Sequence, residues 1–222
     1  MSDAIIESLP LATRVSAVCG HGRVVAPAYP ARPVNGGAFN LGSLRAGWNY
    51  EPKYNGWRAL VHTPTGAMFN RRGQRLSIES EFAEALFRFD EFPEWLDCEA
   101  LDRRHGVGRG SLIVLDTLDI PNPASGRRPI LMNYFERRSW LTARFNILPV
   151  DARPEPGKVY CPPSFFGDQA VEIYDELQAI NARWGVPYYE GVVGKKESSL
   201  YPIQLRSPDQ EFPFWQKHRW AF

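Results

Sequence analysis

Two hydrophobic periods share this chain in short blocks, and they never settle into the strand–helix–strand alternation that a doubly wound parallel sheet requires. Trp57–His62 alternates as a strand does, and Ala67–Asn70 reads as its hairpin partner across Thr63-Pro64-Thr65-Gly66. Phe82, Leu86 and Phe89 then fall at helical spacing, in a helix expected to end before Pro93. Ser111–Leu115 is a short apolar run with the character of a buried strand. Asn133 and Glu136 form a capping-box signature and predict a helix presenting Tyr134, Leu141 and Phe145 on one face. A further helix carries Val171, Tyr174, Leu177 and Trp184, and Gly185 stands where a C-terminal cap belongs. Val192-Val193 lies in another strand. The expected class is α+β. Residues 1–47, rich in Gly, Pro and Ala, read as an irregular N-terminal arm ahead of one domain over 48–222.

A chain of 222 residues can bury roughly 70–75% of the surface its unfolded form exposes, so the fold needs no disulfide or metal staple. With 44% hydrophobic and 23% charged residues, the composition excludes disorder and low complexity. The net charge of +1 means that any polyanion site must be local. Cys19, Cys98 and Cys161 are far apart and odd in number, which fits a reducing compartment rather than a disulfide framework. Cys19 and His21 lack the companions that would complete a zinc site. The N-terminus has no basic segment leading into an apolar run, and no stretch approaches the roughly 18 apolar residues of a membrane span. A cytoplasmic protein with no membrane partner is expected. No Gly-x-x-x-x-Gly-Lys-Ser/Thr loop occurs, which argues against P-loop nucleotide binding.

Lysine appears only at 53, 158, 195, 196 and 217 among the 26 basic residues. Arginine stays protonated, whereas a lysine amine can be tuned into a nucleophile, so these few positions attract attention. Lys53 sits in Glu51-Pro52-Lys53-Tyr54-Asn55-Gly56-Trp57-Arg58, just ahead of a turn glycine, a strand and an arginine. Alone, that segment reads more readily as a surface hairpin with incidental charges. It is followed by Asn70-Arg71-Arg72-Gly73, by Leu96-Asp97-Cys98-Glu99, by Glu190-Gly191-Val192-Val193-Gly194-Lys195, and by Trp215-Gln216-Lys217-His218-Arg219.

In this order the five segments resemble the successive motifs of the covalent nucleotidyltransferases: ATP-dependent DNA ligases, RNA ligases and mRNA capping enzymes. Those motifs include Lys-x-Asp-Gly-x-Arg, Asp-Gly-Glu, Glu-Gly-x-x-x-Lys and Lys-x-Lys. The likeness runs from about residue 48 to 220, and the stretch Trp48–Leu60 is most similar to the ATP-dependent DNA ligases. It implies an ATP-grasp-like nucleotidyltransferase domain of antiparallel sheets flanked by helices, without a C-terminal OB-fold. It also implies sealing of 5′-phosphate/3′-hydroxyl nicks in DNA through a lysine-AMP intermediate. RNA ligation by the same chemistry is the alternative, as is a nucleic-acid-binding relative that needs a protein partner to supply the clamp domain.

By the same resemblance, Lys53 is the nucleophile toward the α-phosphate of ATP. Glu51 matches the position beside the adenine, and Arg71 the arginine that handles sugar or phosphate. Arg58, Lys195, Lys217 and Arg219 complete the ATP-binding set, with the cations expected to cluster round Lys53 and favour its neutral form. Glu99 would bind ATP, and Glu99 with Glu190 would hold the ribose hydroxyls or a divalent ion, Mg²⁺ or Mn²⁺, through oxygen ligands. Nicked duplex DNA, or RNA, is the implied partner, with Arg71, Arg72, Arg103, Arg104 and Arg109 as the local cations for its phosphates. Two positions depart from the pattern. Asn55 replaces the usual aspartate, and Leu115 stands where the family places an aromatic ring against the base.

Overall fold

The computed structural model describes residues 24–86, 95–101, 106–118, 132–203 and 205–220. Two mixed sheets carry the architecture. The first contains β1 (Arg32–Asn35), β2 (Trp48–Tyr54), β9 (Tyr189–Lys196) and β10 (Glu211–Arg219), in the order β1-β10-β9-β2. The second contains β3 (Trp57–His62), β4 (Ala67–Phe69), β5 (Trp95–Leu101), β6 (Ser111–Thr117), β7 (Asn146–Ile147) and β8 (Val159–Cys161), in the order β4-β3-β5-β6-β8-β7. Among the described residues the α-helices are a short α1 (Ala83–Leu86), α2 (Tyr134–Thr142) and α3 (Gly167–Trp184).

The α+β expectation holds, and neither sheet closes into a barrel. The sheets are not wholly antiparallel, however: β1 runs parallel to β10, and β8 runs parallel to both β6 and β7. Nor is the segment before residue 48 irregular throughout. Arg32–Asn35 forms the edge strand β1, whose backbone pairing supplies the order that its side-chain pattern does not signal.

The predicted hairpin is present, with Leu60, Val61 and His62 paired to Phe69, Met68 and Ala67. Phe82 and Leu86 are buried as expected, in a 3₁₀ turn at Glu79–Phe82 that runs into α1; Phe89 and Pro93 lie outside the described residues, as do Cys19 and His21. At α2 the Asn133 side chain accepts from the Glu136 amide at 3.0 Å while Glu136 accepts from the Asn133 amide at 2.8 Å, so the capping box forms reciprocally. Helix α3 buries Ala170, Tyr174, Leu177 and Ile180 on one face and ends at Gly185, whose φ of 70° is the left-handed conformation that a side chain would strain. Asn181 near its end donates to the Tyr189 carbonyl at 2.7 Å and accepts from the Tyr189 amide at 2.9 Å, fixing the start of β9.

Three apolar clusters hold these layers together. Tyr54, Tyr174, Leu177, Ile180 and Tyr189 join α3 to the first sheet. Phe82, Leu96, Val114 and Leu141 lie between the second sheet and α1 and α2. Leu60, Phe69, Trp95, Tyr201 and Trp215 bridge the two sheets. Burial of such side chains is worth about 1.5–3 kcal/mol each, which makes the relative placement of the sheets a property of the core.

Candidate active site

The chain crosses from the first sheet to the second within two residues, leaving β2 at Tyr54 and entering β3 at Trp57. Gly56 makes the crossing. A β-carbon there would meet the Ala100 carbonyl at 2.6 Å and Glu99 Cγ at 2.8 Å, and its amide donates to Glu99 Oε1 at 2.8 Å. Asn55 donates its side-chain amide to the Pro187 carbonyl at 2.8 Å. A carboxylate has no proton to give there, so the asparagine suits its local partner. The crossing opens a cavity of about 340 Å³ between the sheets, lined by Lys53, Glu51, Arg58, Arg71, Glu99, Glu190, Lys195, Lys217 and Arg219 together with Leu115 and Trp215. Every residue expected to bind ATP therefore reaches one cavity.

Within it, Lys53 pairs with a carboxylate and shares the cavity with the cations Lys217 and Arg219. Its cross-strand partner is Gly191, which offers no side chain, and Glu190 Oε2 lies 2.5 Å from the Lys53 amine. Arg219 reaches the same oxygen at 3.0 Å. Burial pushes the Glu99 carboxyl up, opposed by the nearby charges of Lys53 and Arg58. The Lys217 amine is pushed down, chiefly by burial and then by the neighbouring cations Arg219, Arg32 and Lys53.

Lys195 pairs with Glu51. Its amine sits 2.8 Å from Glu51 Oε2, donates to the Leu115 carbonyl at 2.7 Å, and lies 4.3 Å from the centre of the Trp215 ring. Glu51 also accepts from the Tyr134 hydroxyl at 2.5 Å and has Arg138 at 3.5 Å. Arg58 turns its guanidinium onto the fully buried Asp97, which Tyr201 also contacts at 2.5 Å through its hydroxyl. These supports were not foreseen. One signal for them lies in α2: Arg137 and Arg138 stand between Tyr134 and Leu141 at helical spacing, on the face that the apolar residues mark as buried.

Of the cations proposed for nucleic acid, Arg71 lines the cavity and Arg72 is exposed beside it in the same turn. Arg109 pairs with Glu81 at 3.2 Å. Arg103 and Arg104 lie outside the described residues.

Glu99 and Glu190 fit a hard divalent ion in their chemistry: both are oxygen donors, both border the cavity, and their charges act on one another. No group of three metal-binding side chains forms among the described residues. Two carboxylates match an ion such as Mg²⁺ that keeps several waters and shares substrate phosphates.

No protein-family model matches the chain. In solved structures it is similar to the ligase domain of Mycobacterium tuberculosis LigD, with a TM-score of 0.54 and 22% identity over 86% of this chain and 59% of that one. A mycobacterial DNA ligase D complexed with ATP gives 0.53 and 21% over 86% and 60%. A Chlorella virus DNA ligase-adenylate gives 0.51 and 14% over 87% and 68%. The chain has the DNA-ligase nucleotidyltransferase fold. Among curated proteins it is 25% identical over 205 residues to the bifunctional non-homologous end joining protein LigD of Bacillus subtilis (strain 168), covering 79% of this chain. It spans about a third of that relative, 32%. No helix among the described residues is long and apolar enough to cross a membrane.

Proposed function

We propose that this chain is the adenylating domain of an ATP-dependent polynucleotide ligase that seals 5′-phosphate/3′-hydroxyl nicks in DNA. The observation that carries the reading is Lys53 at the end of β2, facing a cavity bordered by Glu99, Glu190, Lys217 and Arg219. Nucleophilic catalysis needs this combination of an amine, an adjacent proton acceptor and preset positive charge. The DNA-ligase fold and the LigD relative support the same chemistry.

In the first step the Lys53 amine attacks the α-phosphorus of ATP. The N–P bond forms, the bond to the bridging oxygen of the pyrophosphate breaks, and pyrophosphate leaves. Glu190, already 2.5 Å from the amine, takes the proton that must depart before attack. Arg219 steadies that carboxylate at 3.0 Å, and Lys217 faces the charge that builds on the α-phosphoryl oxygens. The base lies toward Glu51, whose position Lys195, Tyr134 and Arg138 fix, and against the aliphatic Leu115 rather than a ring. A divalent ion held by Glu99 and Glu190 would screen phosphate charge and compete with Lys53 for Glu190. Transfer of AMP to the 5′-phosphate breaks the N–P bond and frees the Lys53 amine, and attack by the 3′-hydroxyl on that phosphate then expels AMP and completes sealing.

The test is a nicked duplex with DNA or RNA strands incubated with protein, ATP and Mg²⁺. Sealing of the DNA nick by the wild type, abolished in Lys53→Ala, is expected. Faster sealing of the RNA nick would move the assignment to RNA ligation, and sealing by Lys53→Ala would overturn the mechanism.

A further inference from the structure

We infer that Arg32, on the arm strand β1, is a phosphate-binding residue that engages the β- and γ-phosphates of ATP and the pyrophosphate they become. The inference rests on the adenylation reading above and adds to it a residue outside the motif segments.

The arm is part of the cavity wall. Ala31 donates its amide to the Tyr201 hydroxyl at 3.1 Å and accepts from Arg58 at 3.2 Å through its carbonyl, while β1 pairs with β10. Arg32 is thus presented from a fixed backbone, and it lines the cavity together with Lys53, Lys217 and Arg219. Its charge acts on Lys217, as do those of Lys53 and Arg219, so the four cations converge on one volume. A volume bordered by that many positive groups favours a multiply charged anion. Lys53 fixes where the α-phosphate must sit, which leaves the outlying phosphates for a cation farther along the wall. Among the described residues the Arg32 guanidinium pairs with Asp209, at 3.3 Å from the carboxylate and 3.0 Å from its carbonyl. Asp209 is 72% exposed, and a surface pair of that kind is readily given up. A polyphosphate offers a planar guanidinium two parallel charge-assisted hydrogen bonds instead.

Two variants and two probes test this. Arg32→Gln should raise the KM for ATP in adenylation of Lys53 by on the order of tenfold, as expected for a lost hydrogen bond to a charged group, and should weaken binding of tripolyphosphate to the unadenylated protein in calorimetry by a similar factor. Asp209→Asn releases Arg32 from its competitor, so its KM should be equal to or below that of the wild type. Unchanged tripolyphosphate binding in Arg32→Gln overturns the inference. So does an equal rise in KM in Asp209→Asn, which would reduce the pair to docking the arm, or a defect confined to transfer from adenylated protein to nicked DNA. Failure of the wild type to form a Lys53 adduct would instead refute the adenylation reading, while the tripolyphosphate measurement still decides on Arg32.

Discussion

Replacing Arg137 with methionine should destabilise the protein severely, although Arg137 does not line the proposed ATP cavity. Arg137 and Asp116 are both fully buried, and their side chains meet through two parallel hydrogen bonds, at 2.7 Å from Nε and 3.0 Å from the terminal nitrogen. The remaining guanidinium nitrogen donates to the carbonyls of Met132 at 2.8 Å and Ser199 at 3.0 Å. One side chain thereby ties α2 to β6 and to the segment after Lys195. Methionine fills much of the volume but leaves the Asp116 carboxylate buried without its cation. Breaking a buried pair from one side costs about 3–5 kcal/mol. For a chain of this size each kcal/mol moves the melting temperature by about 2–4 °C, so a fall of roughly 6–20 °C is expected. Urea unfolding at unchanged slope measures the loss directly. Asp116→Asn combined with Arg137→Met should be less destabilised than the sum of the single changes, because the orphaned charge is gone. The same helix carries Tyr134 and Arg138 onto Glu51, so the surviving folded fraction should bind ATP more weakly. A loss below about 1 kcal/mol, or strict additivity, would refute the argument that burial makes this pair structural.

Lys217→Met should lower the rate of adenylation on the order of 10²–10³-fold, as the loss of one preset charge partner does, while the protein becomes more stable at neutral pH. Because the Lys217 pKa is depressed in the folded state, the unfolded chain binds more protons: the penalty is fully present below the folded pKa and fades as pH rises toward the unfolded value of about 10.4, so the stability gain should shrink in alkaline urea titrations. Gly191→Ala should prevent or gravely weaken folding, since its φ is 137° and a β-carbon would sit 1.9 Å from the His218 carbonyl oxygen. Gly185→Ala, with φ of 70° and open space around it, should cost only about 1–2 kcal/mol in the same melts.

What could be read before the structure was whatever is local or periodic. The capping box at Asn133, the terminal glycine of α3 and the hairpin after Trp57 each depend on residues a few positions apart, and each appears where expected. Three of the five motif segments likewise converge because β2, β9 and β10 are neighbours in one sheet, while Leu96–Glu99 meets them from β5 of the other. The strand β1 was not legible: its order comes from pairing with β10, whose sequence lies far away. Buried charges were harder still. Glu51, Asp97 and Lys195 carry the same letters as surface residues, and only three-dimensional pairing distinguishes them. For the same reason Lys195 was expected beside Lys53, whereas the structure seats it on Glu51 and gives Lys53 to Glu190.

The most direct test of the account is the intact mass of the protein after incubation with ATP and Mg²⁺, followed by peptide mapping of any adduct. A gain of one AMP on Lys53, removed by acid as a phosphoramidate should be, reversed by added pyrophosphate and absent from both Lys53→Ala and Lys53→Arg, is the expected result. An unmodified mass for the wild type, or an AMP adduct that persists in Lys53→Ala, would contradict it.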